Sequence, residues 1–395
     1  MRSCVILQSG GPTAVINSSL YGVIKANSKD IDVKLFGSKN GIEGLINDDL
    51  ISVDKINNID LLINTPGAIL GSSRHKLSSD FNDEDYKKIV TTIKKNNIGY
   101  ILLNGGNDSM DSGNKLYKYF KANDIDVNVI GIPKTIDNDL LYLNSCPGYG
   151  SAIKYIATTI NELKLDTSVY KKGRVTIVEI MGRDAGWLTA GSKLASLNNL
   201  GPDLIYLPES SFDLDKFLDD VKRLYEKNKK VLVAISEGIK DKNGNYILDL
   251  FNKINNSDNF GHTQLGGVAN NLASYVKEKL NLPVRSIELN LMQRAAGHYL
   301  SKNDVDLAIS FGKKAYQYMK KHTGKMVCSY LQDNKVKFGL VDLNKVANKI
   351  RYFPSSWIVD GNDISKEYIL YALPLIKGNI PLTYEDNLIK YSSLS

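Results

Sequence analysis

Short apolar runs alternate with longer stretches of helical periodicity along most of this chain, and few folds accommodate that alternation. The runs at 4–7, 33–36, 101–103, 127–132, 175–180, 204–207 and 232–235 read as strands, and the stretches at 14–25, 83–95, 109–120, 152–163 and 214–227 read as helices. Strands joined through helices pair in parallel, with the helices covering the sheet faces. At 395 residues the chain exceeds one ordinary core. The predicted class is therefore α/β, with two lobes built on largely parallel, three-layer sheets. "CPGYG" at 146–150 interrupts the pattern, which sets the first lobe at 1–147 and the second at 148–296. The remainder, 297–395, is expected to complete the first lobe and add to the second. Segments 42–59 and 255–267 look irregular and read as lids or insertions.

Composition narrows the class of partner. With 43% hydrophobic and 24% charged residues, and no apolar run of bilayer length, nothing indicates a membrane protein. The N-terminus enters a strand-like run without the features of a signal peptide, so the expected location is cytoplasmic. Cys4, Cys146 and Cys328 are too few and too widely spaced for a disulfide framework or a zinc knuckle. The net charge of +7 is spread in pairs such as Lys94-Lys95 and Lys171-Lys172, which argues against nucleic acid. A modest positive excess suits a polyanionic small substrate.

In parallel sheets, ligands bind beyond the carboxyl ends of the strands, so the loops after each run carry the chemistry. "QSGG" places Gly10 and Gly11 after the first run, where backbone can approach an anion closely. "NGGNDS" repeats the arrangement with Gly105 and Gly106, but follows it with Asn107 and Asp108. A carboxylate there either caps the next helix or selects among phosphates. In "PKTIDND", an extended Thr135–Asp139 stretch would turn Thr135, Asp137 and Asp139 to one face, pairing two carboxylates beside a hydroxyl, with Lys134 at the mouth. The alternative is a solvated acidic loop with Asn138 in a turn. "MGRDAG" offers Met181, Gly182 and the forked donors of Arg183. "ISEG" ends a run with Glu237, and "RSIELNLMQR" carries Arg285 and Arg294.

Taken in order, these loops resemble the phosphofructokinase family over most of the chain, from "QSGG" to "MQR". The combination of "TIDND" with a following "MGR" carries the resemblance. It implies a two-lobed enzyme that phosphorylates the C1 hydroxyl of fructose 6-phosphate with Mg²⁺. By position, Asp137 matches the general base, with Thr135 and Ile136 beside it at the sugar and Asp139 supporting the loop. Met181, Gly182 and Arg183 match the sugar-holding segment, Arg183 lying near the transferred group. Glu237 matches the carboxylate that grips a sugar hydroxyl, and Arg294 a ligand of the 6-phosphate. Arg174 and Arg285 match arginines donated by a neighbouring subunit, which implies a homo-oligomer, at least a dimer, with shared active sites. Gly11, Arg74 and Gly106 match donor-binding positions in the first lobe, and Asn107 matches the residue that supports the metal.

ATP-using members typically carry glycine at the positions of Asp108 and Lys134, so the resemblance is to the pyrophosphate-dependent branch. Two like unit charges 4 Å apart repel by about 4 kcal/mol at an effective dielectric near 20, which would exclude a nucleotide's α-phosphate. Lys134 would stabilise the leaving phosphate. Two departures stand out: Asn107 replaces an aspartate that supports the metal, and Leu291 occupies a position where relatives present a histidine. The alternatives are an ATP-dependent 6-phosphofructokinase, a sedoheptulose 7-phosphate kinase, or a regulatory subunit that senses sugar phosphates. Retention of Asp137, Arg183 and Lys134 argues against the last.

Overall fold

The computed structural model describes residues 2–169, 171–254 and 267–395. The strands of its two main sheets are β1 Arg2–Gln8, β2 Val33–Ser38, β3 Leu50–Ser52, β4 Ile98–Gly105, β5 Asn128–Pro133, β6 Arg174–Ile180, β7 Leu204–Tyr206, β8 Lys230–Ser236, β9 Val284–Glu288, β10 Lys325–Gln332 and β11 Lys335–Asp342. The larger sheet runs β11-β10-β5-β4-β1-β2-β3 and the smaller β9-β6-β8-β7. The smaller sheet is parallel throughout, and the larger is parallel except for β3 and β11 at its two edges. The α/β reading therefore holds. Strands β1, β6 and β8 are buried along nearly their whole length, as continuous apolar runs covered on both faces require.

Register brings the chemistry-bearing loops together. Gln8 pairs with Asn104, and Gly105 with Pro133, so the loops after β1, β4 and β5 lie side by side at the carboxyl end of the sheet. In the smaller sheet Ile180 pairs with Ser236, which sets Met181 beside Glu237.

The C-terminal third divides between the two cores. The helix Lys302–Met319 packs against the helix Ile16–Asn27 through facing glycines. A Cβ at Gly22 would lie 2.2 Å from the Ile309 carbonyl, and one at Gly312 would lie 2.0 Å from that of Ser19. Alanine at either position would force these helices apart. Phe353, Ile364, Tyr368 and Ala372 instead join the core containing Trp187 and the helix Tyr149–Thr167.

Segment 42–59 is no lid. It forms the helix Ile42–Ile46, then β3 at the sheet edge, then a short strand Ile56–Asn57 that pairs with Ser393–Leu394. Ile42, Leu45, Val53 and Ile56 enter the first core, and the elements are too short to show periodicity in sequence. The other irregular segment lies, from 255 to 266, outside the described residues.

Candidate active site

The floor of the cleft is built around one buried cation. Lys134 follows β5 and is only 2% exposed. Its Nζ donates to the carbonyl of Ser9 at 2.9 Å and to that of Gly11 at 2.6 Å. Among the described residues this leaves the third N–H for an incoming anion. Burial pulls the Lys134 ammonium down to about 8, with Asp137 opposing and Arg294 reinforcing the fall. The glycine loop after β1 is thus a cradle of carbonyls for Lys134. It is not the nest of free amides that its sequence suggests, since Ser9 and Gly10 already donate their N–H groups to Asn104 and Ser73.

Arg294 crosses over this cradle. A Cβ on Gly11 would lie 2.4 Å from Arg294 Nη1, so a larger residue there would make the guanidinium shift. Burial and the neighbouring Arg74 lower the Arg294 guanidinium, while Asp137 supports its charge. Arg294 therefore stands beside Lys134 and Asp137, with Arg74 near it; its position in sequence matches a ligand of the 6-phosphate.

Residues 135–139 are not extended. Thr135 Oγ1 accepts the Asp137 N–H at 3.1 Å and lies 3.4 Å from the Asp137 carboxylate, and Asn138 adopts a left-handed conformation with φ of 55°. A turn has displaced the strand-like alternation, because the Asn138 side chain supplies the bonds that a ladder would. Asn138 Oδ1 accepts the Cys146 N–H at 2.9 Å, and Asn138 itself is fully buried. The solvated-loop alternative fails on the same observation. The two carboxylates still interact: burial and Asp137 push Asp139 up to about 7. Asp137 is also raised, first by burial, with the Thr135 hydroxyl, Lys134 and Arg294 favouring its ionised form. Ile136 is 5% exposed in the second core, so its main chain alone can face a substrate.

Across the cleft, Gly182 takes φ of 123° and donates its N–H to Glu237 Oε1 at 3.1 Å. Burial raises the Glu237 carboxyl, and nearby Asp137 adds to the rise. The Met181 N–H donates to Gln293 at 3.2 Å. Arg183 Nε donates to the Tyr246 hydroxyl at 3.2 Å, with the guanidinium 5.2 Å from that ring's centroid. Tyr246 in turn donates to Asp184 at 3.2 Å.

The remaining predicted residues lie at the rim or away from it. Asp108 is the second residue of the helix Asn107–Ala122, and no side chain caps that helix. Its carboxylate, 70% exposed, pairs with Lys76 Nζ at 2.9 Å. The repulsion it exerts is therefore reduced by both the lysine and solvent, contrary to the bare charge inferred from sequence. Asn107 Nδ2 donates to the Lys349 carbonyl at 2.7 Å, while its Oδ1 is buried without a partner. Gly106 adjoins Lys134, where a Cβ would lie 3.5 Å from the lysine carbonyl. Arg174 and Arg285 stand at the amino ends of β6 and β9. Six residues of strand, about 20 Å at ~3.3 Å per residue, separate Arg174 from the site end of its sheet. Lys76, Tyr246 and Gln293 escape sequence reading because each is a lone polar residue brought in by tertiary packing.

Residues 3–319 match the family model described as Phosphofructokinase. The chain is 39% identical over 399 residues to the pyrophosphate--fructose 6-phosphate 1-phosphotransferase of Xanthomonas campestris, covering 98% of this chain and 94% of that one. It is 34% identical to the protein of the same name from Rhodospirillum rubrum, covering 96% and 95%. Among solved structures, a pyrophosphate-dependent phosphofructokinase from Nitrosospira multiformis superposes with a TM-score of 0.88 at 33% identity, covering 99% and 95%.

Proposed function

The chain belongs to the phosphofructokinase family, and from that premise we propose that its cleft moves a phosphoryl group from pyrophosphate to the C1 hydroxyl of fructose 6-phosphate. The products are fructose 1,6-bisphosphate and orthophosphate. The observation that carries this reading is Lys134, a buried ammonium fixed by two carbonyls beside the carboxylate of Asp137.

Asp137 takes the proton as the C1 oxygen attacks the nearer phosphorus, and a pKa raised by burial suits a base that must accept it. The bond to the bridging oxygen breaks, and Lys134 and Arg294 stabilise the charge that gathers on the departing phosphate. Glu237 and Gly182 hold the sugar side, and Arg183 exchanges Tyr246 for the transferred group. Resemblance to the pyrophosphate-dependent branch implies a reaction that runs in both directions.

Mg²⁺ would arrive with pyrophosphate. Among the described residues no group of three or more His, Cys, Asp or Glu could hold a metal, but the orphaned Asn107 Oδ1 fits a single neutral ligand to a cation held mainly by water and donor oxygens, and Asp137 would be a second candidate. Bound there, the ion would neutralise pyrophosphate charge.

Arg174 and Arg285 lie about 20 Å and about 13 Å along the sheet from its site end, which supports their donation to a second copy and a homodimer as the minimum assembly. No helix among the described residues is long and apolar enough to cross a membrane. Three unpaired cysteines suit a reducing cytoplasm.

Asp108→Gly tests donor selection. Removing the rim carboxylate should raise kcat/KM for ATP about 10- to 100-fold while changing that for pyrophosphate by less than about 10-fold, the gain being limited because Lys76 already offsets part of the repulsion. Steady-state phosphate release with each donor reads this out. An unchanged ATP rate would remove Asp108 from donor selection.

A further inference from the structure

Arg351 lies beyond the part of the chain that matches the family model, yet it touches the loop that carries the base at two separated points. Its backbone N–H donates to the Asp139 carbonyl at 2.7 Å, and its Nη1 donates to the carbonyl of Leu143 at 2.8 Å. Nη2 donates to the Tyr371 hydroxyl at 3.3 Å. That hydroxyl donates to the Asn144 carbonyl at 2.7 Å and accepts from Asn138 Nδ2 at 2.9 Å. The loop from Asn138 to Asn144 is therefore held from within by two side chains that join the sequence some 200 residues later. Asn138 is left-handed, a conformation asparagine tolerates, and these bonds fix it there.

The same residue reaches the other side of the cleft. Its guanidinium lies 4.4 Å from the centroid of the Trp187 ring, and the Trp187 indole N–H donates to the Arg351 carbonyl at 2.9 Å. Trp187 directly follows the "MGRDAG" loop. One planar, charged side chain thus ties the loop of the base to the loop of Arg183. A planar fork stacked on an aromatic ring is a task for which lysine is a poor substitute.

We infer that Arg351, with Tyr371, is a positioning residue of the phosphoryl transfer, fixing Asp137 relative to Arg183 through the buried ring of contacts around Asn138 and Trp187. The inference rests on the reading of Asp137 as the base. Neither residue faces the cleft chemistry directly, so their loss should weaken turnover far more than substrate binding.

The test compares Arg351→Met, Arg351→Lys and Tyr371→Phe with the full-length parent, measuring kcat, both KM values and the thermal midpoint. Arg351→Met should lower kcat about 100-fold with both KM values within about 3-fold, the loss expected from misplacing a reacting group by about 1 Å. Arg351→Lys should rescue little of it. Tyr371→Phe, which keeps the ring, should lower kcat about 5-fold. The split between kcat and KM is the readout a merely stabilising role would not give; the emission of Trp187, the sole indole in a Trp357→Phe background, should change with Arg351→Met and reports loss of the stacking. A folded Arg351→Met with unchanged kcat, or a fall in kcat matched by a rise in KM, overturns the inference. If Arg351→Met does not fold, Tyr371→Phe decides, and unchanged kcat there overturns it. Asp137→Asn serves as the control: retained turnover in that variant would bring down the base assignment itself, whereas its loss together with an active Arg351→Met would bring down the positioning role alone.

Discussion

Lys134→Gly lowers pyrophosphate turnover by about 10²- to 10³-fold, the range seen when a preorganised charge is removed from a developing anion. Lys134 does this work because it is already desolvated and oriented. The carbonyls of Ser9 and Gly11 hold its Nζ before any substrate arrives, so no reorganisation is needed as charge builds on the leaving phosphate. Both glycine and methionine leave those two carbonyls without the ammonium, but Lys134→Met keeps the bulk of the stem and so separates the lost ammonium from lost packing. The direction of its pKa gives a second readout. Burial lowers the ammonium to about 8, so the charged form is present below that pH and is lost as pH rises through it. In the free enzyme, kcat/KM for pyrophosphate should therefore fall on the alkaline side near that value, and the limb should vanish in Lys134→Met. A basic limb that persists in Lys134→Met would assign it to another group.

Asp137→Ser lowers kcat by about 10³- to 10⁴-fold and leaves fructose 6-phosphate binding within a few fold. Serine keeps a small polar group in the turn made by Thr135, but has no base to take the C1 proton. Sugar binding persists because Glu237, Gly182 and Met181 are held by contacts independent of Asp137, through the Gly182 N–H and through Gln293. Calorimetry of fructose 6-phosphate binding alongside turnover makes the comparison. Retained turnover would contradict the mechanism, and lost binding would make Asp137 a substrate ligand first.

Much of this site was legible in the sequence because the strands that carry it are buried on both faces and show as unbroken apolar runs. Their ends then fix where Lys134, Met181 and Glu237 must emerge. The 135–139 stretch misleads because its alternation fits a strand, while the bonds that Asn138 makes to Cys146 and Tyr371 come from distant chain and hold a turn instead. Asp108 misleads for the same reason: its charge is evident, but Lys76, which offsets it, has no sequence signal of its own. The orientation of Arg294 is equally hidden, since nothing in its own stretch of sequence shows that its guanidinium packs over Gly11. Arg351 and Tyr371 sit in a stretch of short elements, where no period marks a role.

In the proposed function, buried Lys134 and exposed Asp108 together shape the donor pocket for pyrophosphate. The most direct measurement is the rate of the unmodified protein with fructose 6-phosphate and Mg²⁺, offered pyrophosphate or ATP at equal concentration. Brisk turnover with pyrophosphate and at least about 100-fold less with ATP is expected. Comparable rates with the two donors would contradict it.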